Sequence, residues 1–320
     1  MTKHLGRKYS IVIAILIIVS IFSLCVGAVF VNPLQAVRGL ILQDDFIVNQ
    51  YREPRLFVGL LVGSSLAISG AVIQGVVRNP LASPDVIGIT KGASLAAVTV
   101  LILFPKAPIY VLPVASFAGA LVISLLLSYL IARKEVQGSN LALIGLAIGA
   151  ICMAVVQYLL IRFPIEANLA LVWLTGSLFG RSMEHVISIL PWFIVTVPLI
   201  LFLAQRLDIL HLGDQVATAL GTRVRPVKMV LLILAVMLAG SSIAVVGGLS
   251  FLGLIAPHIA RSIVGHKHLH IIMMSGLIGA ILIVVSDTLA RGIHPPLDIP
   301  VGVIIAIVGA PYFIYVLRKM

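Results

Sequence analysis

Long apolar runs separated by short polar stretches fill this chain from beginning to end. A hydrocarbon core about 30 Å thick is crossed by roughly 20 helical residues, and most of the runs approach that length. They predict ten membrane-spanning helices: Ile11–Val31, Leu56–Val77, Gly92–Phe104, Ile109–Ala132, Leu141–Ile161, Val186–Ala204, Val227–Gly247, Leu249–Val264, Ile271–Ala290 and Val301–Leu317. The third and eighth runs are short, and a short run can be re-entrant instead of spanning. We therefore expect an all-α integral membrane protein with one domain over residues 1–320.

Composition and charge support a membrane protein and set its orientation. The 320 residues are 61% hydrophobic and 10% charged, whereas soluble domains carry about 25% charged residues. The net charge of +11 is explained without nucleic acid, because basic residues gather in the cytoplasmic loops of membrane proteins. With ten spans and an inner N-terminus, fifteen of the 22 lysines and arginines are cytoplasmic. We therefore expect both termini in the cytoplasm.

The longest polar interruption, residues 205–228, lies between the sixth and seventh runs. Within it, a short helical pattern from Asp214 to Leu220 places Val216, Ala217 and Leu220 on one narrow apolar face. A glycine follows in the position that favours the end of a helix. An exposed apolar face needs a partner, and the residues alone leave open whether that partner is another protein or the bilayer surface.

A second short pattern, from Leu169 to Gly180, is too short to cross the bilayer and contains Trp173. Tryptophan rings favour the interface between membrane and water. We therefore expect this segment to form an interfacial helix on the outer side.

Two octets of the sequence resemble each other and indicate an internal repeat. Residues Gly63–Gly70 (GSSLAISG) align with Gly240–Gly247 (GSSIAVVG). Two further pairs match at the same offset: Pro80 with Pro257, and Gly88 with Gly265. Because the second and seventh spans run in opposite directions, the pattern predicts an inverted repeat, with halves of about 51–161 and 225–317.

The stretch from Tyr51 to Ile89 combines a basic boundary, a span that contains Gly, Ser and Gln, and an end at a proline. Its motif residues are Arg52, Pro54, Arg55, Gly63, Leu66, Ala67, Ser69, Gly70, Gln74, Asn79, Pro80, Leu81, Ala82, Pro84, Ile87 and Gly88. With these residues the chain resembles the FecCD-type permease subunits of bacterial ABC importers for ferric siderophores, ferric citrate, haem and vitamin B12. Two further blocks, Gly248–Arg261 and Ala290–Pro311, extend the resemblance and are most similar to iron(III) dicitrate permeases.

This resemblance implies a vitamin B12 permease-like fold of the type II ABC importers, in a chain that transports and is not an enzyme. A second permease subunit, identical or related, two cytoplasmic ATPase subunits and an extracytoplasmic substrate-binding protein are its expected partners. The chain has no G-x-x-x-x-G-K-[ST] phosphate loop, so ATP and Mg²⁺ belong to the ATPases and no cofactor is expected here. The expected substrate is a ferric chelate, and the expected place is the bacterial cytoplasmic membrane.

The resemblance, together with the polarity of a glutamine at membrane depth, assigns three groups of site residues. Acids of the binding protein would meet Arg52, Arg55 and Arg291. The alternative is that these arginines reach lipid headgroups. The inner gate and pathway, with an apolar plug at its leucine, would comprise Gln74, Asn79, Pro80, Leu81, Ser139 and Asn140. Coupling to the ATPase would use Leu212, Gly213, Asp214, Ala217, Leu220 and Gly221.

Two features leave alternatives open. Asp287 lies inside a late span, where it is either a pathway residue or the partner of a neighbouring helix. A pathway acid would suit the alternative function, a secondary transporter driven by an ion gradient. The alternating histidines His266, His268 and His270 suggest a metal, but this spacing scatters them around a helix and no cysteine or carboxylate is near them in sequence. We therefore expect no metal site.

Overall fold

The computed structural model describes residues 2–108, 110–133, 138–295 and 297–318, and all regular structure within these ranges is helical. The α-helices are α1 (Thr2–Cys25), α2 (Pro33–Leu42), α3 (Glu53–Val77), α4 (Ile89–Leu103), α5 (Val111–Arg133), α6 (Gly138–Arg162), α7 (Ala167–Thr175), α8 (Met183–His211), α9 (Asp214–Ala219), α10 (Val224–Val246), α11 (Leu252–Val264), α12 (His268–Gly292) and α13 (Val301–Leu317). A π-helical turn, Val48–Arg52, leads directly into α3.

Each of the ten predicted spans coincides with a helix, which confirms the all-helical membrane fold. Stretches long and apolar enough to cross a membrane occur in α1, α3, α6, α8, α10 and α12. Shorter apolar stretches lie in α4, α5, α11 and α13. The two sets together are compatible with ten crossings, and that number stays a prediction.

The first helix differs from its predicted bounds at both ends. It begins at Thr2, before the predicted first residue Ile11, because the polar residues ahead of the apolar run are helical as well. It ends at Cys25, before the predicted last residue Val31. The carbonyls of Leu24, Cys25 and Val29 accept hydrogen bonds from the guanidinium of Arg52. Carbonyl groups at the end of α1 and in the residues that follow it therefore surround the buried guanidinium of Arg52.

Two short helices modify the predicted picture. The helix α2 was not predicted, although it has a proline at its first helical position and a cap from Asn32, whose Oδ1 accepts a hydrogen bond from the Leu34 N–H at 3.0 Å. The helix α7 lies in the segment expected at the membrane interface. Its Trp173 is buried in the apolar core, and the interfacial position of this helix stays a prediction.

The helix α3 lies at the centre of the bundle and packs mainly against α8, α10, α11 and α12. Most of its residues are buried. A Cβ atom on Gly63 would lie 2.5 Å from the Gly279 carbonyl oxygen of α12, and one on Gly70 would lie 1.8 Å from the Gly253 oxygen of α11. Glycine is therefore required at both positions, and it allows the direct backbone contact that is typical of packed membrane helices.

The bundle has two ends, which we call the arginine end and the α9 end. At the arginine end, Arg291 of α12 bonds to Ser23 near the end of α1. At the α9 end, Tyr9 in the first half of α1 lies 3.4 Å from His270 at the start of α12. The helix α3 begins at the arginine end and ends at the α9 end. Its 25 residues give it a length of about 37 Å at 1.5 Å per residue.

The predicted repeat is matched only in part by equivalent positions. Gly63 lies in the contact of α3 with α12, and Gly240 lies in the contact of α10 with α5. The two downstream prolines have different positions, since Pro80 lies in the loop after α3 whereas Pro257 lies inside α11. The connection after α3 is longer than the one after α10, which shifts the alignment. The inverted repeat and its halves stay a prediction.

Candidate functional site

A recess of about 250 Å³ opens at the arginine end. Three arginines line it, Arg52, Arg55 and Arg291, and they expose only 6%, 9% and 7% of their surface. The other lining residues include Gly27, Val29, Tyr51, Phe179, Pro295 and Asp298. The fold therefore brings the three arginines predicted from sequence together at one place.

Two carboxylates hold Arg55 at once. Its Nε and Nη2 donate to Asp287 in a bidentate arrangement, in which Nη2 lies 2.8 Å from Oδ1. Its Nη1 donates to Asp298 Oδ2 at 2.7 Å. The Asp287 side chain is only 4% exposed, so the two charges are removed from water and depend on each other. Two roles were left open for Asp287, and the structure shows the second: it pairs with Arg55 of the neighbouring helix α3.

The end of α1 binds the other two arginines. Arg291 Nη2 donates to the Ser23 hydroxyl at 2.8 Å, and its Nη1 donates to the Val26 carbonyl at 3.0 Å. The Nε of the same side chain lies 3.1 Å from Asp287 Oδ2. Arg52 is bound by the α1 carbonyls described above. All three guanidinium groups are thus bonded within the chain.

These bonds engage the arginines that were expected to meet acids of a binding protein or to reach lipid headgroups. Because the side chains are buried, an acidic group of a partner would reach them only by entering the recess. Glu53, which follows Arg52, is also buried and accepts a hydrogen bond from Gln43 at 3.1 Å. Docking at this end stays a prediction, and its expected form changes from a charged patch to a recess.

The loop of residues 78–88 begins where α3 ends. Arg78 adopts the left-handed conformation, with a φ of 53°. Asn79 Oδ1 accepts a hydrogen bond from the Leu81 N–H at 2.9 Å, which closes a turn around the exposed Pro80. The helix stop predicted before this proline is confirmed. The gate role of Asn79, Pro80 and Leu81 stays a prediction.

The predicted neighbours of this loop lie in the first turn of α6. The side chains of Ser139 and Asn140 fall outside the described residues, so their contacts stay predictions. One or two turns further along α6, a Cβ atom on Gly145 would lie 2.7 Å from the Ile87 carbonyl oxygen. The backbones of the loop and of α6 therefore touch at this point.

Gln74 packs against a neighbouring helix, and its predicted place on the pathway stays a prediction. Its side chain is buried between α3 and α11, and its Nε2 lies 3.4 Å from the carbonyl oxygens of Gly253 and Leu254. An amide at membrane depth needs a partner, and the backbone of α11 supplies one for the Gln74 Nε2.

An exposed apolar ridge marks α9. We use the name α9 ridge for Leu212, Val216 and Leu220, which expose 61%, 46% and 59% of their surface. Ala217 is fully buried, so its predicted place on the same apolar face is wrong. The helix turns its small residue toward the bundle and its large apolar residues outward.

Glycines frame the short helix on both sides. Gly213 and Gly221 have φ angles of 109° and 77°, which side chains rarely adopt. At the second glycine, the Gly221 N–H donates to the Thr218 carbonyl and the Thr222 N–H donates to the Ala217 carbonyl, both at 2.9 Å. This is the left-handed helix end that the sequence predicted.

The carboxylate of Asp214 joins three elements at the α9 end. Lys228 Nζ, near the start of α10, lies 2.8 Å from its Oδ2 and 2.9 Å from its Oδ1. Arg78, at the end of α3, forms a second ion pair with Oδ1. Asp214 itself begins α9. The Asp214 carboxylate is therefore engaged in ion pairs within the chain. The sequence predicted it only as part of the ATPase contact.

The three histidines have separate environments. His268 Nδ1 lies 2.7 Å from Asp208 Oδ1, a carboxylate 60 positions away in sequence. His270 contacts Tyr9 instead. Among the described residues, no group of three His, Cys, Asp or Glu side chains is placed to hold a metal.

Sequence reasoning missed the partners Arg78, Lys228, Asp208 and Asp298. A sequence signal existed only for a different pair: Asp287 precedes Arg291 by four residues, a spacing that pairs charges on a helix. For the others no local pattern was available. Arg55 and Asp298 are 243 residues apart, so only the fold brings them together.

Comparison with known proteins decides the class of this membrane protein. Residues 15–319 match the FecCD transport family. The chain belongs to the FecCD transport family. The Fe(3+)-citrate import system permease protein YfmE of Bacillus subtilis (strain 168) is 47% identical to this FecCD protein over 96% of this chain and 93% of its own. The Fe(3+) dicitrate transport system permease protein FecD of Escherichia coli (strain K12) is 46% identical over 86% of each chain.

More distant proteins support the same assignment. The iron(3+)-hydroxamate import system permease protein FhuG of Bacillus subtilis (strain 168) is 37% identical over 95% of this chain and 94% of its own. A solved structure described as an inward-facing metal-chelate type ABC transporter has a TM-score of 0.87 at 26% identity, and covers 99% of this chain and 100% of that one. The predicted family and fold class are confirmed. This FecCD protein is a multi-pass membrane permease of the ABC importer class.

Proposed function

We propose that this FecCD protein imports a ferric chelate, with ferric citrate as the favoured cargo, across the cytoplasmic membrane of a bacterium. One observation carries the proposal: a recess lined by arginines opens at one end of the bundle, and an apolar ridge is exposed at the other. In an ABC importer the two ends meet different partners, a carrier protein outside and ATPases inside. Two surfaces of such different chemistry suit these two tasks.

The charge distribution gives the orientation. Basic side chains gather around the α9 end, among them Arg78, Arg223, Arg225, Lys228 and Lys267. Cytoplasmic loops carry the excess of lysine and arginine in membrane proteins. The α9 end is therefore cytoplasmic in our proposal, and both termini lie on that side.

The partners follow from the two surfaces. Two ATPase subunits dock on the α9 ridge, one on each permease subunit. Docking is favourable because a groove on the ATPase removes exposed leucine and valine side chains from water. The ATPase subunits supply ATP and Mg²⁺, which this chain has no phosphate loop to bind. A binding protein delivers the chelate at the arginine end. A second permease subunit, a copy or a relative, completes the path.

The loop of residues 78–88 closes the inner end of the path in this proposal. Leu81 is half-buried and follows the exposed Pro80, so it suits an apolar plug that excludes water. Iron arrives wrapped by the oxygens of its chelator, and a path for such a cargo needs weak contacts along its length. A ligand cage for bare iron is not part of the proposal.

The alternative of a secondary transporter is not favoured. It would need an acid inside the membrane that is free to carry an ion, and Asp287 was the candidate. Its carboxylate is bonded to Arg55 and lies beside Arg291, so it is engaged as a structural partner. The similarity to permeases of ferric import systems supports the ABC importer instead.

The proposal is tested by radioactive iron uptake in cells that lack this gene. Ferric citrate, a hydroxamate siderophore and a catecholate siderophore are offered in parallel, with cobalamin as the control. We expect loss of ferric citrate uptake alone, restored by the wild-type gene and by Gln215→Glu, which alters an exposed polar residue of α9. The ridge variant Leu220→Asp should not restore uptake. Normal uptake of every chelate in a strain without a redundant system would contradict the proposal.

A further inference from the structure

We propose that Asp214 is a positioning residue that transmits movement of the α9 ridge to the loop of residues 78–88, through its ion pairs with Arg78 and Lys228. The inference rests on the proposed function, in which ATPases dock on the ridge and the loop closes the path. It adds a physical connection between these two surfaces.

The ridge and the carboxylate belong to one small unit. The helix α9 has only six residues, and Asp214 lies between Leu212 and Val216 of the ridge. Ala217 anchors the unit against the bundle from its buried side. A force applied to Val216 or Leu220 therefore displaces the carboxylate as well, because Asp214 and these residues belong to the same helical turn and its end.

The receiving side is equally direct. Arg78 is the last residue before Asn79 and Pro80, and its backbone caps α3. Proline fixes its own φ, and the bond from the Leu81 N–H to Asn79 Oδ1 closes the turn. A displacement of Arg78 therefore moves Leu81 as well, because the turn between them has little conformational freedom.

The turn at Gly213 brings the arginine close to the α9 backbone. A Cβ atom on Gly213 would lie 3.9 Å from Arg78 Nη1, so the guanidinium rests beside this turn as well as on the carboxylate. The positive φ of Gly213, 109°, turns the chain at the start of α9, where the Asp214 carboxylate pairs with Arg78. Two contacts thus hold the end of α3 to the start of α9.

Lys228 extends the connection to α10. The side-chain exposures are 16% for Lys228, 32% for Arg78 and 49% for Asp214, so water reaches all three groups. Ion pairs of this exposure contribute little to folding stability. They can separate and re-form during a transport cycle, and their removal should leave the fold intact.

The test uses the complete complex in liposomes, with permease, ATPases and binding protein, and measures chelate import and ATP hydrolysis together. For Asp214→Asn we expect assembly and hydrolysis close to wild type, with import per ATP reduced about tenfold, within the usual range of coupling between sites. Arg78→Gln should act in the same direction. The double variant should be no worse than Asp214→Asn alone, because both changes remove one connection.

Matched variants separate transmission from other roles. Asp214→Glu keeps the charge and should retain most of the import per ATP. Arg225→Gln removes an exposed arginine that forms no ion pair with any described residue, and should leave the ratio unchanged. Wild-type import per ATP in Asp214→Asn would overturn the inference. Loss of ATPase assembly in that variant, as expected for Leu220→Asp, would also overturn it and assign Asp214 to docking. Import by the wild-type complex without ATPases would instead refute the proposed function.

Discussion

The two ends of α3 hold their charges in opposite ways. At the arginine end, the side chains of Arg55 and Asp287 are 10% and 4% exposed. At the α9 end, those of Arg78 and Asp214 are 32% and 49% exposed. A buried pair cannot be opened without leaving a charge out of water, whereas water replaces a lost partner at the surface. The ion pair at the arginine end is therefore fixed, whereas the ion pair at the α9 end can separate and re-form.

The middle of the helix connects these ends rigidly. Backbone contact at Gly63 and Gly70 leaves no room for α3 to slide past α11 or α12. We infer that α3 acts as a rigid connection, fixed at the end where we propose that the binding protein docks and adjustable at the end where we propose that the ATPases dock. Each part of this comparison can be tested by removing it.

The largest effect is expected when the buried cation is removed. Arg55→Ala leaves Asp287 without its bidentate partner, and loss of one member of a buried pair costs about 3–5 kcal/mol. The Tm of the purified protein in detergent should fall steeply. Arg38→Ala is the control, since Arg38 is 68% exposed and pairs with Asp44 at the surface. Equal stability of the two variants would show that burial of the pair does not increase its contribution to stability.

The sequence predicted the helices far better than their polar partners. An apolar run near 20 residues long can satisfy its backbone only as a helix in a membrane, so α3 and α12 were visible at once. The pair of Arg55 with Asp287 joins residues 232 positions apart. No periodicity reveals such a partner, and the arginine was therefore expected to face outward.

The short helices show the same limit. For α9 the sequence contained both the apolar face and the glycine at its end, and the helix was predicted nearly to the residue. Its ion pairs at Asp214 were not, because Arg78 comes from a remote segment. The ten-residue α2 was missed because its run is too short to indicate a span.

The next largest effect concerns the middle of α3. Gly70→Ala would place a methyl group 1.8 Å from the Gly253 oxygen, and such overpacking costs about 1–3 kcal/mol. Thermal unfolding in detergent measures it. Gly6→Ala is the control, because no atom of the described residues lies within 4 Å of a Cβ atom there. An unchanged Tm for Gly70→Ala would mean that α3 can move against α11.

A smaller effect is expected from the second acid of the recess. Asp298→Asn keeps a hydrogen-bond acceptor for Arg55 but removes a charge that is 19% exposed, so we expect a loss of about 1 kcal/mol. Because the recess becomes more positive, the variant should bind the docking protein more tightly, as measured by surface plasmon resonance. Weaker binding would argue against docking of an acidic group in the recess.

The smallest effect on stability is expected from salt. Raising the ionic strength from about 0.1 to 1 M shortens the Debye length from about 10 to 3 Å, which weakens the solvated pairs of Asp214 and leaves Arg55 with Asp287 nearly unaffected. Import per ATP should fall while Tm changes little. A large fall of Tm, similar to that of Arg55→Ala, would show that the buried pair is screened as well.

The central claim is that α3 connects docking at one end with the ATPases at the other. Its most direct test is the affinity of the binding protein for the complex in liposomes, measured with and without ATP in wild type and in Asp214→Asn. Since coupling between two sites is reciprocal, we expect ATP to change the wild-type affinity. In the variant this change should shrink toward none, while the affinity without ATP stays the same. An undiminished effect of ATP in Asp214→Asn would contradict the account.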